Sequence, residues 1–274
     1  MPYEKSPEQR AIDWGKIIET ALTAPGNVGN VYSRFYEYSF LNQMFLRMQG
    51  VYEPVATMKR WNALGRTVLS GSKAKEIIVP IFARKPKEDE DEEAAIIGFK
   101  AVRRIFTLSQ TEGQELPPVQ LPEWDVDTAL AKLGVCQVPF TALSGNVQGY
   151  SRGHDIAISP IAVNPAKTRF HEIGHVVLGH TLPENVGQYA THRGIFEFQA
   201  EATAYLTMNE LQQLDEETAT RSRGYVQSWL EGERPPDKAI REVFSATDQI
   251  LKAGRLAVEE VINRDDKTLG SEPV

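Results

Sequence analysis

The sequence predicts an α+β protein: amino-terminal helices plus a small antiparallel sheet, followed by a mainly helical part with a small sheet of its own. Three observations carry that prediction. Helix start and stop signals fill the first 65 residues, two β-rich segments then flank one acidic run, and further helical segments follow a proline-rich stretch. A length of 274 residues suits two compact domains. With 41% hydrophobic and 24% charged residues, the composition is that of an ordinary folded chain and excludes wholesale disorder.

The elements follow in order. Ser6-Pro7-Glu8-Gln9 reads as a capping box with proline at the first helical position, opening a helix to about residue 22. A second helix fits residues 38–50, with Gly50 as its stop, and a short third fits 57–65, ending at Gly65. Residues 75–83 and 96–108 read as strands. Between them the acidic run Glu88 to Glu93 most simply forms a solvated hairpin loop, because like charges at that density repel; an electrostatic gate or a mimic of nucleic acid are the alternatives. Residues 114–124 hold three prolines and read as a connection, dividing the chain into domains 1–118 and 119–274. Beyond it, Asp125 caps a helix through Leu133, and a strand at 154–160 precedes Asn164-Pro165, which opens a helix through about residue 180. Further helices fit 194–212, 215–230 and 236–262, with Pro235-Pro236 separating the last two.

Net charge is -7, but its distribution is uneven. Residues 1–115 carry 16 basic and 15 acidic side chains, and six of those acids are the run at 88–93; residues 116–274 carry 14 basic and 22 acidic. Such a split suggests two halves with different partners. A single cysteine, Cys136, excludes an internal disulfide and a thiolate metal cage. The first residues show no apolar signal segment, and no apolar run approaches the roughly 18 residues of a membrane span, so the expectation is a soluble, cytoplasmic protein with no membrane partner.

The sharpest chemical feature is His171-Glu172-Ile173-Gly174-His175, an HExxH motif inside a capped helix. A spacing of four puts both imidazoles on one helical face, where they can reach a single Zn2+, and leaves Glu172 beside the open coordination position to take a proton from water there. The third ligand is sought in residues 194–206, where Glu197 and Glu201 stand four apart. In zincins of the glutamate class the first acid of such a pair binds metal, and the second fixes a ligand histidine through its other ring nitrogen. Glu197 is thus assigned as ligand and Glu201 as its outer support, with the reverse assignment as the alternative. A structural site closed by a fourth ligand, His180 or His192, is a rival. His180 lies five residues past His175, roughly 500° round a helix, and is expected to face away. Three ligands plus water fit better.

With these residues located, the chain resembles the ArdC-type antirestriction proteins of conjugative plasmids and related mobile elements. The resemblance rests on residues 38–46 (YSFLNQMFL), 61–81 and 106–117 in the first half. In the second half it rests on 149–160 (GYSRGHDIAISP), 171–180, 197–201 and 225–230, all in the family's order. It implies a single-stranded-DNA-binding domain joined to a zincin-like metalloprotease domain, the latter also resembling the ImmA/IrrE type. His171, His175 and Glu197 would hold zinc, Glu172 would be the catalytic general base, and the role would be protection of transferred DNA. Many relatives carry tryptophan after the second histidine, where this chain has Val176, a departure that bears on pocket shape and not on the metal set. Two rivals stay open: an ImmA-like zinc peptidase with a protein substrate such as a repressor, and a DNA-binding protein whose zinc only stiffens the fold.

Single-strand binders stack bases on aromatics above a basic groove. The first half offers Tyr32, Phe35, Tyr36, Tyr38 and Trp61 beside Arg34, Lys59, Arg60, Arg66, Lys73 and Lys75. The aromatics at 32, 35, 36 and 40 have helical spacing, which more often marks a core face than a base platform, and Trp61 is expected to be half-buried. The candidates selected for nucleic acid are Tyr38, Trp61, Arg66, Lys73, Lys75 and Arg103. Tyr150, Tyr205 and His192 are candidates for oxyanion stabilisation.

Overall fold

The computed structural model describes residues 12–23, 38–83, 95–116, 123–142, 146–232 and 234–256. The capping box at 6–9, the aromatics at 32–36 and the acidic run at 88–93 lie outside them. The chain divides into two compact units, Met1–Thr20 with Arg34–Pro118 and Ala21–Ser33 with Val119–Val274. The architecture is α+β, and no described helix is long and apolar enough to cross a membrane.

In the first unit, α1 (Trp14–Thr23) sets the Trp14 ring edge-on to Phe99 at 5.7 Å. The next helix, α2 (Phe40–Met48), starts where the Ser39 hydroxyl accepts from the Asn42 amide. It buries Phe40, Met44 and Leu46. Strand β1 (Val55–Thr57) runs into the short α3 (Met58–Ala63), capped by Thr57, and then β2 (Arg66–Val68). Strands β3 (Lys75–Phe82) and β4 (Ile96–Thr107) pair antiparallel, Ile77 opposite Val102, and β1 joins the other side of β4. A 3-10 turn at Leu108–Gln110 leads to β5 (Thr111–Gly113), which pairs with β2. Three-residue strands such as β1, β2 and β5 are too short for an alternation to be read, and none was expected from the sequence.

Strand β3 lies at the sheet's edge, and its outer side is closed by side chains. Asn42 donates to the Ile78 carbonyl at 2.9 Å and accepts from the Ile78 amide at 2.7 Å. Gln49, two turns along α2, does the same for Glu76 at 2.8 and 3.0 Å. At the next position of this alternation stands Pro80, which has no N–H to present. The edge is thus satisfied without another strand.

The second unit opens with α4 (Val126–Leu133), capped by Asp125, and β6 (Cys136–Gln137). Strands β7 (Gly149–Arg152) and β8 (Asp155–Ile158) complete a sheet of order β6-β8-β7, with β7 antiparallel at one edge. Helix α5 (Pro165–Val177) carries the HExxH motif; the Asn164 side chain accepts from the Lys167 amide at 2.9 Å, and Pro165 occupies the first turn. Three long helices follow: α6 (Pro183–Glu210), α7 (Glu216–Glu231) and α8 (Asp237–Ala253). Phe170, Ile173 and Val176 of α5 pack with Ile156 of β8, Ala204 and Met208 of α6 and Ile250 of α8. Burying each large apolar side chain here stabilises the unit by about 1.5–3 kcal/mol.

Three boundaries differ from expectation. Helix α5 stops at Val177 and not near 180, because Gly179 turns left-handed at φ 73. Helix α6 begins at Pro183, well before residue 194, with proline at its first turn as the start signal. Helix α8 ends at Ala253 and not 262, because the following backbone pairs elsewhere: the Asp125 amide donates to the Gly254 carbonyl at 2.9 Å, and the Leu256 amide to Glu123 at 3.0 Å.

Candidate metal centre

Helix α5 presents His171 and His175 one turn apart, and α6 brings Glu197 against them. The close approach of the two helices depends on Gly174: a Cβ there would lie 3.3 Å from both the Cα and the carbonyl oxygen of Ala200. His171 Nε2 stands 3.2 Å from His175 Nε2 and 3.3 Å from Glu197 Oε2, and His175 Nε2 is 3.9 Å from Glu197 Oε1. All three ligand atoms fall within 4.8 Å of one another, the arrangement of donors that one cation could bridge. Two imidazoles and a carboxylate with solvent access on the remaining side fit a three-ligand site with an open position.

The surrounding polar groups hold this arrangement. Glu201, one turn beyond Glu197, meets His171 Nδ1 at 3.3 Å and receives Lys167 Nζ at 2.8 Å. Burial would raise its carboxyl, but His171 and Lys167 outweigh that and hold it at about 2. Glu172 is buried, and its Oε2 accepts from Ser151 Oγ on β7 at 2.7 Å. Burial pushes Glu172 above the usual carboxylate range, against the opposing pull of Ser151 and His171. For His171, burial alone would lower its pKa; hydrogen bonds to Glu197 and Glu201, with the charges of Glu172 and Glu201, reverse this and raise it to about 9. His175 is held down at about 3 by burial and by the neighbouring His171 charge. In the metal-free chain one proton therefore sits on His171, where a cation would otherwise balance the acids.

His180 does not face away from the pair, contrary to expectation. The helix has already ended, and the turn at Gly179 folds the chain back so that the His180 amide donates to the His175 carbonyl at 3.0 Å. Its Nδ1 lies 2.9 Å from His175 Nδ1, and the residue shares the lining of the cavity onto which the centre opens. The Phe196 ring stacks on it at 4.2 Å and 11°. His180 is held low, at about 4, mainly by burial.

The centre opens on a cavity of about 1230 Å³ whose lining includes Tyr150, Ser151 and Arg152 of β7, together with Glu172 and Arg193. Of the oxyanion candidates, Tyr150 lines this cavity, its hydroxyl 3.0 Å from Thr141 Oγ1. Tyr205 does not reach it: the ring is buried and its hydroxyl donates to the Leu22 carbonyl at 3.0 Å. The His192 side chain lies outside the described residues.

The candidates for nucleic acid separate into two groups. Lys73, Lys75 and Arg103 line one cleft of about 490 Å³ with Gln49, Ala74 and Glu76, and Arg103 pairs with Glu76 at 3.2 Å. Trp61, expected to be half-buried and to stack a base, is instead a core residue: it is 1% exposed, with its Nε1 donating to the Phe106 carbonyl at 2.9 Å. No ring face is left for a base. The Arg66 guanidinium is committed to the facing strand, donating to Thr111 Oγ1 at 2.8 Å, to the Thr111 carbonyl at 2.9 Å and to the carbonyls of Gly113 and Gln114. Tyr38 is half-buried before α2 and does not line the basic cleft.

Ser151, Lys167, His180 and Gln199 were not assigned from the sequence. Ser151 lies inside the 149–160 motif and Lys167 one turn before the first ligand, so spacing could have indicated both. The roles of His180 and Gln199 depend on the turn at Gly179, which periodicity does not show.

Helices and a small sheet, followed along the sequence by an HExxH helix packed against an acid-bearing helix, define a class: an α+β protein with a candidate metal centre in its second unit. Comparison with known proteins adds a likeness to one family. Residues 6–113 match the family model of the N-terminal domain of anti-restriction factor ArdC. The Mn(II)-bound crystal structure of antirestriction protein ArdC from plasmid R388 is similar over 89% of this chain and 98% of that one, with 18% identity and a TM-score of 0.51. The metal-free crystal structure of that protein gives 89% and 96%, 18% identity and 0.49. At that identity the likeness to the Mn(II)-bound structure is one of fold. No curated protein matches the chain in sequence. Over residues 6–113 the chain is similar to the amino-terminal domain of ArdC.

Proposed function

We propose that this chain protects the incoming single-stranded DNA of a mobile element in the cytoplasm, binding it through residues 1–118 and carrying a zinc peptidase-type centre in residues 119–274. The observation that carries the reading is the meeting of His171, His175 and Glu197 at an open cavity, with Glu172 held beside them by Ser151. The amino-terminal match to ArdC supplies the DNA side of the reading. The R388 protein is described as Mn(II)-bound; a divalent ion of that class would here be held by the two imidazoles and the Glu197 carboxylate. An imidazole-rich set favours zinc over manganese, since affinity rises along the first-row series towards zinc and copper.

A zinc ion bound there would supply Lewis acidity and lower the pKa of water in the open position. The chain's own groups do the rest. Glu172, its carboxyl raised by burial, is suited to take a proton from that water and return it to a leaving amine. The Ser151 hydroxyl occupies one oxygen of Glu172 and so turns the other to this task. Glu201 and Lys167 keep the His171 ring in place.

The cleft lined by Lys73, Lys75 and Arg103 is the part of the first unit best suited to follow phosphates. A second reading, a protein substrate, is favoured by the outer edge of β7, which lines the cavity and could pair with an extended peptide.

The test is fluorescence anisotropy of the intact protein with single- and double-stranded oligonucleotides across a salt series, repeated with Glu172→Gln. Preference for single strands, weakening linearly in log salt, is expected in both proteins; absence of binding at low salt would remove the DNA reading. Any peptide hydrolysis should fall about 10²–10⁴-fold in Glu172→Gln while zinc is retained. Unchanged hydrolysis would remove Glu172 as the base.

A further inference from the structure

Beside the candidate metal centre, a chain of hydrogen bonds leads from His175 through the buried His180 and Gln199 to Glu242 on α8. His175 Nδ1 and His180 Nδ1 are 2.9 Å apart, and His180 Nε2 is 3.0 Å from Gln199 Oε1. Gln199 Nε2 then reaches Glu242 Oε2 on α8 at 2.8 Å and the Ala239 carbonyl at 3.4 Å. His175, His180 and Gln199 are each no more than 5% exposed, so no bulk water substitutes for a missing partner.

The donor and acceptor roles along this chain are not arbitrary. A carboxylate and a backbone carbonyl only accept. With both Glu242 and Ala239 facing one end of the Gln199 amide, that end must be the NH₂, and the carbonyl oxygen must face His180. An amide oxygen only accepts, so His180 must carry its proton on Nε2. The His180 Nδ1 lone pair is then an acceptor, and His175 must donate from Nδ1. A neutral imidazole with its proton on Nδ1 has its lone pair on Nε2, the atom that faces His171 and Glu197.

Resting on the metal-centre reading above, we infer that Glu242, acting through Gln199 and His180, is a positioning residue that selects the metal-binding tautomer of His175. The two ligand histidines are thereby oriented by different means. His171 faces a carboxylate directly, whereas His175 receives its instruction through two neutral groups from a carboxylate three hydrogen bonds away. The relay explains why a third, buried histidine stands against His175 without a place among the three grouped donors. Phe196, stacked on the His180 ring, keeps the ring plane in which both nitrogens meet their partners.

The test has two readouts that need no catalysis. Long-range ¹H–¹⁵N spectra of the metal-free full-length protein report the tautomer of each ring, and chelator-buffered titration with Zn(II) gives affinity. In the native chain His180 is expected as the Nε2–H and His175 as the Nδ1–H tautomer. Gln199→Leu should scramble the His180 tautomer and weaken zinc about tenfold or more. Glu242→Ala should produce a smaller shift of the same kind, and Glu242→Gln, whose amide oxygen still accepts, should restore the native ring spectrum. A native His180 protonated on Nδ1 would overturn the relay, as would a folded Glu242→Ala protein with native ring spectra and native zinc affinity. Should Gln199→Leu fail to fold, the native spectrum and the Glu242 pair decide the matter. If the native chain bound no zinc at all, the metal reading would fail, while the ring spectra would still judge the relay.

Discussion

Strands β3 and β7 both end a sheet, but their outer sides are finished differently. The side amides of Asn42 and Gln49 occupy the outer backbone groups of β3, and Pro80 removes a further donor. Along β7, Gly149 to Arg152 line the cavity above the histidines, and among the described residues no side-chain amide or further strand pairs with its outer side. An unpaired edge is a liability that a fold ordinarily covers. Closing one edge with side chains while leaving another beside a cluster of metal-ligating groups suggests that the second is kept for an occupant.

The largest test of this contrast removes the chemistry beneath the open edge. His171→Ala or Glu197→Ala should reduce bound zinc from about one per chain to near zero, measured by elemental analysis after gel filtration. Glu201→Ala should lower affinity by only about 10–100-fold, as expected of a group that orients a ligand. Equal losses in the two glutamate variants would erase the division of labour between them.

Acidity sharpens the same comparison. In the metal-free chain the His171 pKa is raised from 6.5 to about 9, so the stability it contributes is fully present below 6.5 and is lost as pH rises through 9. A zinc ion held by these residues would have to displace that proton. Its affinity should therefore rise about tenfold per pH unit between those limits and flatten above them, with close to one proton released per zinc at pH 7.5 in calorimetry across buffers of different ionisation heat. A pH-independent affinity over that window would contradict the placement of the proton.

The closed edge can be broken as well. Asn42→Leu removes both bonds to Ile78 and leaves two backbone groups without partners. It should cost about 1–3 kcal/mol in denaturant unfolding and increase self-association in light scattering. A smaller effect is expected in the basic cleft: Lys73→Ala should reduce the salt slope of oligonucleotide binding by about 1 without changing sequence preference. A slope identical to the native one would remove Lys73 from the contact surface.

The parts of this structure that were legible in the sequence are those governed by local rules. Asn164-Pro165 starts α5, Asp125 caps α4, and a spacing of four puts His171 beside His175. The pairing of residues 75–83 with 96–108 was legible because both segments are rich in β-branched and aromatic residues. What escaped depends on where the chain goes after a break. His180 could not be placed by counting degrees round a helix that stops three residues before it. Trp61 looked available because composition records an aromatic beside basic residues, not which face of α3 meets the sheet. Arg66 looked like a phosphate ligand because its partners, on β5, stand more than forty residues away and in a strand too short to be read.

Gly174 gives the motif a mechanical meaning that its letters conceal. A methyl group at that position would press on the backbone of α6 at Ala200, and the helices would have to part by a few tenths of an ångström. Metal–ligand bonds tolerate only about 0.2 Å of error. The residue between the two histidines thus works as a gauge block, setting the clearance at which Glu197 is delivered from the opposite helix. A chain that preserved every donor but thickened this spacer would have the right parts at the wrong distance.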